Sequence, residues 1–113
     1  MTLHLNQMLT IDATGSYLVQ AASIAALADI AQEAVREKRF ESHITFVNSA
    51  DMIGEALGIY VPSPREKERR LTLLSDGDQV ILVKPKRGHR PLPHEVLKPG
   101  DFTWWLITYR ENL

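Results

Sequence analysis

The sequence predicts an α/β (mixed α+β) fold, in which one mixed β-sheet of about five to six strands is covered by two amphipathic helices. Three observations predict it. Two segments repeat apolar residues at helical spacing. Several short apolar segments are separated by glycine, proline and aspartate, the residues that form turns. The length of 113 residues is enough for one domain and too short for two, so residues 1–113 are expected to form a single domain.

The N-terminal third is predicted to contain two strands and the longer helix. Residues 3–9 and 16–22 are short apolar segments on either side of a turn-forming cluster, which makes residues 3–22 a candidate β-hairpin. Ser23 is expected to cap a helix that runs to about Lys38. The face of this helix that is expected to pack on the sheet carries Ile24, Leu27, Ile30, Ala31 and Ala34.

The middle of the chain is predicted to form a third strand and a shorter helix. Residues 42–47 have the composition of a strand. Residues 48–51 resemble a helix-capping sequence, with the acidic Asp51 in the first turn. Gly58 stands where a C-terminal cap is expected.

The C-terminal half is predicted to contain a hairpin, a long loop and a final strand. The Asp-Gly pair at 76 and 77 lies between apolar residues 71–74 and 80–83, an arrangement typical of a β-hairpin. The second arm lacks polar alternation and is expected to be buried on both faces. Residues 84–100 contain four prolines and are expected to form a loop, and residues 102–109 the last strand.

Composition excludes several classes of protein and site. The chain has no cysteine, which excludes disulfides, thiolate metal sites and a cysteine nucleophile. The N-terminus has no signal-peptide pattern, and no segment approaches the roughly 20 apolar residues of a membrane span. We therefore expect a cytoplasmic protein with no membrane partner.

Charge is distributed unevenly along the chain. Residues 1–62 carry three basic and seven acidic side chains, whereas residues 63–90 carry eight basic and four acidic. A hairpin would bring the basic residues on its two sides to the same end, where they would bind a phosphodiester. The alternative is ordinary solvated charge. The two clusters are Arg65, Lys67, Arg69 and Arg70, and Lys84, Lys86, Arg87 and Arg90.

No self-contained catalytic or metal-binding motif is present. His89 and His94 would need His43 as a third zinc ligand, and their spacing is not diagnostic, so we predict neither a metal site nor any other cofactor. Asn48 and Ser49 at the start of the second helix would suit a phosphate, although Asp51 opposes an anion there. Simple helix capping is the alternative.

The order of these segments resembles the viral ring nuclease family. The resemblance covers nearly the whole chain and rests on LHLNQML, SHITFVNSADMIGEALG, the RPLP loop and FTWWLIT. The family acts as anti-CRISPR factors against type III systems and occurs in archaeal viruses, phages and plasmids. The resemblance implies a homodimer that binds cyclic tetra-adenylate at its interface. It also implies metal-independent cleavage, in which a ribose 2′-hydroxyl attacks the adjacent phosphate and a histidine protonates the leaving oxygen.

The motif that carries this histidine matches the sequence only in part. Six residues fit its frame: Ser42, Ile44, Ser49, Ala50, Leu57 and Gly58. Phe46 stands at the histidine position and Thr45 at a glycine position. Phenylalanine cannot transfer a proton, and losing a general acid typically costs ~10²–10⁴ in rate.

The remaining family positions imply a set of ligand-binding residues. Arg69 and Arg90 match the two arginines, and Lys84 stands where the family often has glutamine. Glu95 is a shifted candidate for the family's glutamate, because Pro93 occupies the ungapped position. The expected ligand-binding set is therefore Asn48, Ser49, Arg69, Lys84, Arg90 and Glu95.

These observations leave three candidate functions. The first is a homodimeric binder of a small cyclic oligonucleotide such as cyclic oligoadenylate, with cleavage impaired or lost. The second is a protein–protein interaction module, such as a phage or mobile-element inhibitor of a host defence complex. The third is an active, metal-independent ring nuclease that uses His43, His89 or His94 instead. In a strand, residues 43 and 46 would face opposite sides of the sheet, which disfavours His43 unless the strand ends before it.

Overall fold

A five-stranded mixed sheet organises the fold. The computed structural model describes residues 1–7, 15–62, 74–86 and 95–111. The strands are β1 (Leu3–Asn6), β2 (Gly15–Ala21), β3 (Phe40–Ser42), β4 (Gln79–Pro85) and β5 (Phe102–Glu111), and the helices are α1 (Ile24–Arg36) and α2 (Val47–Leu57). The strand order is β2-β5-β4-β1-β3. Strand β1 is parallel to β3 and β4, whereas β5 is antiparallel to β4 and β2. The predicted mixed α+β fold is confirmed.

Helix α1 forms where its capping residue and apolar spacing place it. The Ser23 hydroxyl accepts a hydrogen bond from the Ala26 N–H at 3.1 Å, as expected of an N-cap. Leu27, Ala31 and Ala34 are buried at helical spacing, which places one face of the helix against the core. The helix ends at Arg36, two residues before the predicted end.

Helix α2 starts earlier than its sequence predicts. Its N-cap is Phe46, which makes no side-chain capping hydrogen bond, so the predicted cap at residues 48–51 is wrong. The first turn contains no acidic residue. The helix begins early because β3 ends at Ser42 rather than at residue 47, which leaves residues 43–46 to connect the two elements. The predicted cap at Gly58 is confirmed, with φ 68° in the left-handed region.

Strand pairing differs from both predicted hairpins. Strands β1 and β2 do not form a hairpin, because β4 and β5 lie between them. The predicted turn at Asp76 and Gly77 is present, with Gly77 at φ 84°. However, β4 is paired on one side with β1 and on the other with β5, so residues 79–82 have no edge left for a preceding strand. Residues 71–73, most of the predicted first arm, lie outside the described residues.

The sheet has two different faces. Both helices pack on one of them, where Leu3, Leu5 and Ile81 join the larger hydrophobic core. His4 and Asn6 alternate with these leucines in the sequence and therefore lie on the opposite face. There they adjoin a smaller apolar cluster centred on Val80, Leu82 and Ile107. Strand β4 is consequently buried on both sides from Val80 to Val83, as predicted.

No helix within the described ranges is long and apolar enough to cross a membrane.

Candidate functional site

The carboxyl ends of the parallel strands form one edge of the sheet. Strands β1, β3 and β4 point the same way, so the chain leaves all three at this edge. Helix α2 begins here, after the connection from β3, and presents the positive end of its dipole. The Asn48 side-chain amide donates a hydrogen bond to the Glu95 carbonyl at 3.4 Å. Two residues of the predicted ligand set are thus brought together.

The side chains of two other members of the predicted ligand set take no part in this contact, although the Ser49 N–H donates to Asn48 Oδ1 at 3.0 Å. Ser49 is fully buried in α2, and within the described residues its hydroxyl has no hydrogen-bond partner. Lys84 is exposed on the sheet face opposite the helices. It borders a shallow groove of about 410 Å³, which is also lined by Val19, Leu82, Lys86, Trp105 and Ile107.

Four further predicted site residues lie outside the described residues. These are Arg69, Arg90, His89 and His94. The convergence of the two basic clusters was inferred from hairpin pairing, and β4 makes no such pairing over residues 79–82. That convergence therefore stays a prediction.

A second group of polar side chains surrounds His4 on the sheet face opposite the helices. His4 Nδ1 lies 3.1 Å from His43 Nε2 and 3.7 Å from Glu41 Oε2. The centroids of the two imidazole rings lie 5.3 Å apart, with 26° between the ring planes. On its other side, His4 Nε2 lies 3.2 Å from Asp78 Oδ2. His4 and Asp78 are both buried, whereas the Glu41 side chain is 60% exposed.

Backbone pairing explains why these groups meet. In the parallel ladder between β1 and β3, His4 is the register partner of Glu41. The His43 N–H donates to the Leu5 carbonyl at 2.9 Å, which continues this ladder one residue past the end of β3. Because residues two apart on an extended segment share a face, Glu41 and His43 both lie on the side of His4.

The Asp78 carboxylate determines which ring nitrogen of His4 carries the proton. Burial by itself would raise the pKa of this carboxyl, but hydrogen bonds from the Ser75 and Thr2 N–H groups and from His4 more than offset it and lower the pKa. These backbone bonds are 3.0 and 2.8 Å long. An ionised carboxylate only accepts hydrogen bonds, so His4 Nε2 carries the proton. In the neutral form of His4, Nδ1 then presents a lone pair toward His43.

The surroundings of His43 favour its neutral form. Burial lowers the pKa of its imidazole, Glu41 opposes the shift, and the neighbouring His4 adds to it. The end of β3 at Ser42 removes the objection that a strand would turn residue 43 away from residue 46. The His43 ring nevertheless contacts His4. Phe46, half-buried at the start of α2, supplies no proton donor there.

Sequence reasoning missed three members of this group: His4, Glu41 and Asp78. Two local signals were available. His4 interrupts the apolar residues of β1, and Glu41 has the two-residue spacing from His43 that places both on one face of a strand. Neither signal identifies the partner strand, however, and the β1–β3 pairing brings the groups together.

Comparison with known proteins shows a structural relation only. No protein-family model matches the sequence, and no curated protein matches it by sequence. The fold is similar to that of protein B116 of Sulfolobus turreted icosahedral virus, with a TM-score of 0.69 and 9% sequence identity. The match covers 95% of this chain and 98% of the viral protein. At this identity the similarity shows a shared fold and nothing finer.

Proposed function

We propose that this protein is a homodimeric binder of a small cyclic oligonucleotide of the cyclic tetra-adenylate class, with ring cleavage impaired or lost. The observation that carries the proposal is Phe46 as the N-cap of α2, at the carboxyl edge of the parallel strands. This is the position at which the resembled ring nucleases have their histidine. The fold shared with a virus protein over 95% of the chain supports the same relation.

Ligand binding is supported by the arrangement around the start of α2. The positive end of a helix dipole attracts a phosphodiester. The contact between the Asn48 amide and the Glu95 carbonyl connects this helix to the loop that the sequence predicts at residues 84–100. That loop contains Arg90, which the resemblance assigns to the ligand together with Arg69. Guanidinium groups bind phosphate oxygens through paired hydrogen bonds, which makes these arginines the strongest expected contacts.

Loss of cleavage follows from the chemistry of residue 46. A phenyl ring has no proton to give the leaving oxygen, which removes a contribution of ~10²–10⁴ to the rate. His43 lies three residues away and its ring contacts His4. The protein would therefore sequester its ligand rather than destroy it.

Calorimetric titration with cyclic tetra-adenylate in EDTA tests the binding. We expect saturable binding, weaker binding of the linear tetranucleotide, and a dimer by light scattering. Arg69→Ala, Arg90→Ala and Asn48→Ala should each weaken binding roughly tenfold or more, the equivalent of one charge-assisted hydrogen bond. Arg36→Ala is the matched control, because Arg36 ends α1 near the amino edge of the parallel strands.

Chromatography of the same mixtures tests the loss of cleavage. We expect the ring to remain intact with the natural protein and to be opened by Phe46→His. Rapid cleavage in EDTA that disappears in His43→Ala, His89→Ala or His94→Ala would instead establish an active enzyme with a relocated histidine. Absence of both binding and cleavage would refute the proposal and favour the protein–protein interaction module.

A further inference from the structure

The cluster around His4 is not used by the proposed nucleotide function. We infer that His4, Glu41 and His43 form a binding site for a divalent transition-metal ion of the Zn²⁺ type, supported from behind by Asp78. This inference departs from the prediction of no metal site made from the sequence. It does not rest on nucleotide binding, because none of these residues belongs to the region around Asn48.

The ligand atoms are spaced as a metal site requires. One ligand atom from each of His4, Glu41 and His43 lies within 4.8 Å of the others. With metal–ligand bonds of about 2.0–2.2 Å, neighbouring atoms of a tetrahedral zinc site lie roughly 3.3–3.5 Å apart. His4 Nδ1 lies 3.1 Å from His43 Nε2 and 3.7 Å from Glu41 Oε2, on either side of this range. The third pair, His43 and Glu41, lies within 4.8 Å, and rotation of the exposed Glu41 side chain would bring the carboxylate to the ion.

The donor set selects the class of metal. Two imidazole nitrogens suit Zn²⁺ and its transition-metal neighbours, whereas Mg²⁺ and Ca²⁺ prefer oxygen ligands. The carboxylate of Glu41 balances one of the two positive charges of the ion. Three protein ligands leave a fourth position for water. The exposure of Glu41, on the edge strand β3, leaves that position accessible to solvent.

Asp78 gives the site the supporting interaction found behind metal-bound histidines. Such a histidine usually donates its other ring N–H to a carboxylate, which fixes the tautomer and the orientation of the ring. His4 has this arrangement, with Nε2 facing Asp78 and the lone pair of Nδ1 facing the other two ligands. Asp78 is itself held by the Thr2 and Ser75 N–H groups. The buried part of the site, His4 and Asp78, is therefore already arranged for metal binding in the metal-free protein.

The exposed half of the site changes when the ion binds. Without metal, the 3.1 Å contact between the two rings is a hydrogen bond. His43 would then carry its proton on Nε2, since His4 Nδ1 presents a lone pair. Metal binding moves that proton to Nδ1 of His43, which frees Nε2 as a ligand without ionising the ring. The backbone hydrogen bond from His43 to Leu5 keeps the ring on this face.

Titration of chelator-stripped protein with Zn²⁺ alone, in competition with a chromogenic chelator, tests the site. We expect one Zn²⁺ per chain. His43→Ala should weaken binding on the order of 100-fold and Glu41→Gln on the order of tenfold, through loss of a ligand and of a charge. Asp78→Asn should weaken it about 10–100-fold. Co²⁺ in place of Zn²⁺ should give the intense visible absorption of four-coordinate cobalt in the natural protein and lose it in His43→Ala.

Control variants separate this site from its alternatives. Glu33→Gln removes an exposed carboxylate on α1 and should leave Zn²⁺ binding unchanged. His89→Ala and His94→Ala should also leave it unchanged. Circular dichroism checks that Glu41→Gln folds. We expect it to fold normally, because the carboxylate that it replaces is solvent-exposed. Equal Zn²⁺ affinity in the natural protein and His43→Ala, or loss of binding in His89→Ala or His94→Ala, would overturn the inference.

Discussion

Individual residues tie distant parts of this chain together through buried polar contacts. Asp78 is the main example, since its carboxylate accepts hydrogen bonds from Thr2, Ser75 and His4. Thr2 precedes β1, Ser75 precedes β4, and His4 lies within β1. A single side chain thereby helps to align two parallel strands that are more than 70 residues apart in sequence. Removing it leaves buried donors without an acceptor.

Asp78→Ala should therefore lower the stability of the protein. We expect the free energy of unfolding to fall by about 1–3 kcal/mol, the cost of leaving a buried hydrogen-bonding group unsatisfied. Urea denaturation at neutral pH in the presence of EDTA measures it without interference from metal. Asp29→Ala is the control, because Asp29 is exposed on α1 and should change stability by less than about 0.5 kcal/mol. Equal stability of the two variants would contradict this account.

Tyr109 gives the protein a specific sensitivity to alkaline pH. Burial raises the pKa of its phenol, and the nearby Glu111, Tyr17 and Asp76 raise it further. The unfolded chain therefore releases this proton first, near the ordinary value of 10.0. The stability due to Tyr109 is present below that pH and is lost as pH rises toward the folded pKa.

Tyr109→Phe should reduce this alkaline loss of stability. Unfolding free energies measured between pH 8 and pH 11 should decline less steeply in the variant than in the natural protein. Tyr60→Phe provides the comparison, because Tyr60 is 84% exposed and should leave the decline unchanged. Parallel pH profiles for all three proteins would show that Tyr109 does not contribute.

The start and the end of helix α2 are determined by different interactions. Its start has no side-chain cap and is set by where β3 stops. Its end is specified locally by Gly58, which adopts the left-handed conformation. The Gln32 amide, which donates to the Leu57 carbonyl at 3.0 Å, occupies the space beside Gly58. The end of α2 is thus also joined to α1.

Gly58→Ala should destabilise the protein by about 1–2 kcal/mol, the cost of a left-handed conformation for a residue with a Cβ. The added methyl group would lie 2.8 Å from Gln32 Nε2 and displace the amide that joins the helices. Gly100→Ala is the matched control, since its added Cβ meets nothing within 4 Å. Thermal unfolding followed by circular dichroism compares them. A loss in Gly100→Ala as large as that in Gly58→Ala would contradict the explanation.

At the scale of the molecule, the two helices bury one face of the sheet. Leu27 from α1 and Ile53 and Leu57 from α2 are fully buried against Leu3 and Leu5 of β1. On the sheet face opposite the helices, apolar side chains are less completely enclosed, and Val19 remains 53% exposed. The helix-covered face therefore provides most of the hydrophobic stabilisation, and the opposite face carries the polar cluster and the groove.

One substitution to alanine on each face of the sheet tests this division. Leu27→Ala should cost about 2–5 kcal/mol, because it removes a fully buried side chain and leaves a cavity. Val19→Ala, on the face opposite the helices, should cost less than about 1 kcal/mol because Val19 is 53% exposed. Chemical denaturation of both variants provides the measurement. Similar losses would mean that α1 is not the principal cover of the core.

The sequence by itself determined the features that arise from neighbouring residues. These are the mixed α+β class, the cap of α1 at Ser23, the end of α2 at Gly58, the turn at Asp76 and Gly77, and the fully buried strand β4. Capping and turn geometry involve atoms only a few residues apart. Local chemistry is therefore enough to predict them.

Only the tertiary structure decided which strands pair and which polar groups meet. Any apolar strand can satisfy its hydrogen bonds with several partners, and the choice depends on how the whole core is buried. The parallel pairing of β1 with β3 and β4 replaced the expected hairpins and brought His4 to Glu41, His43 and Asp78. It likewise set the end of β3, and with it the start of α2 at Phe46.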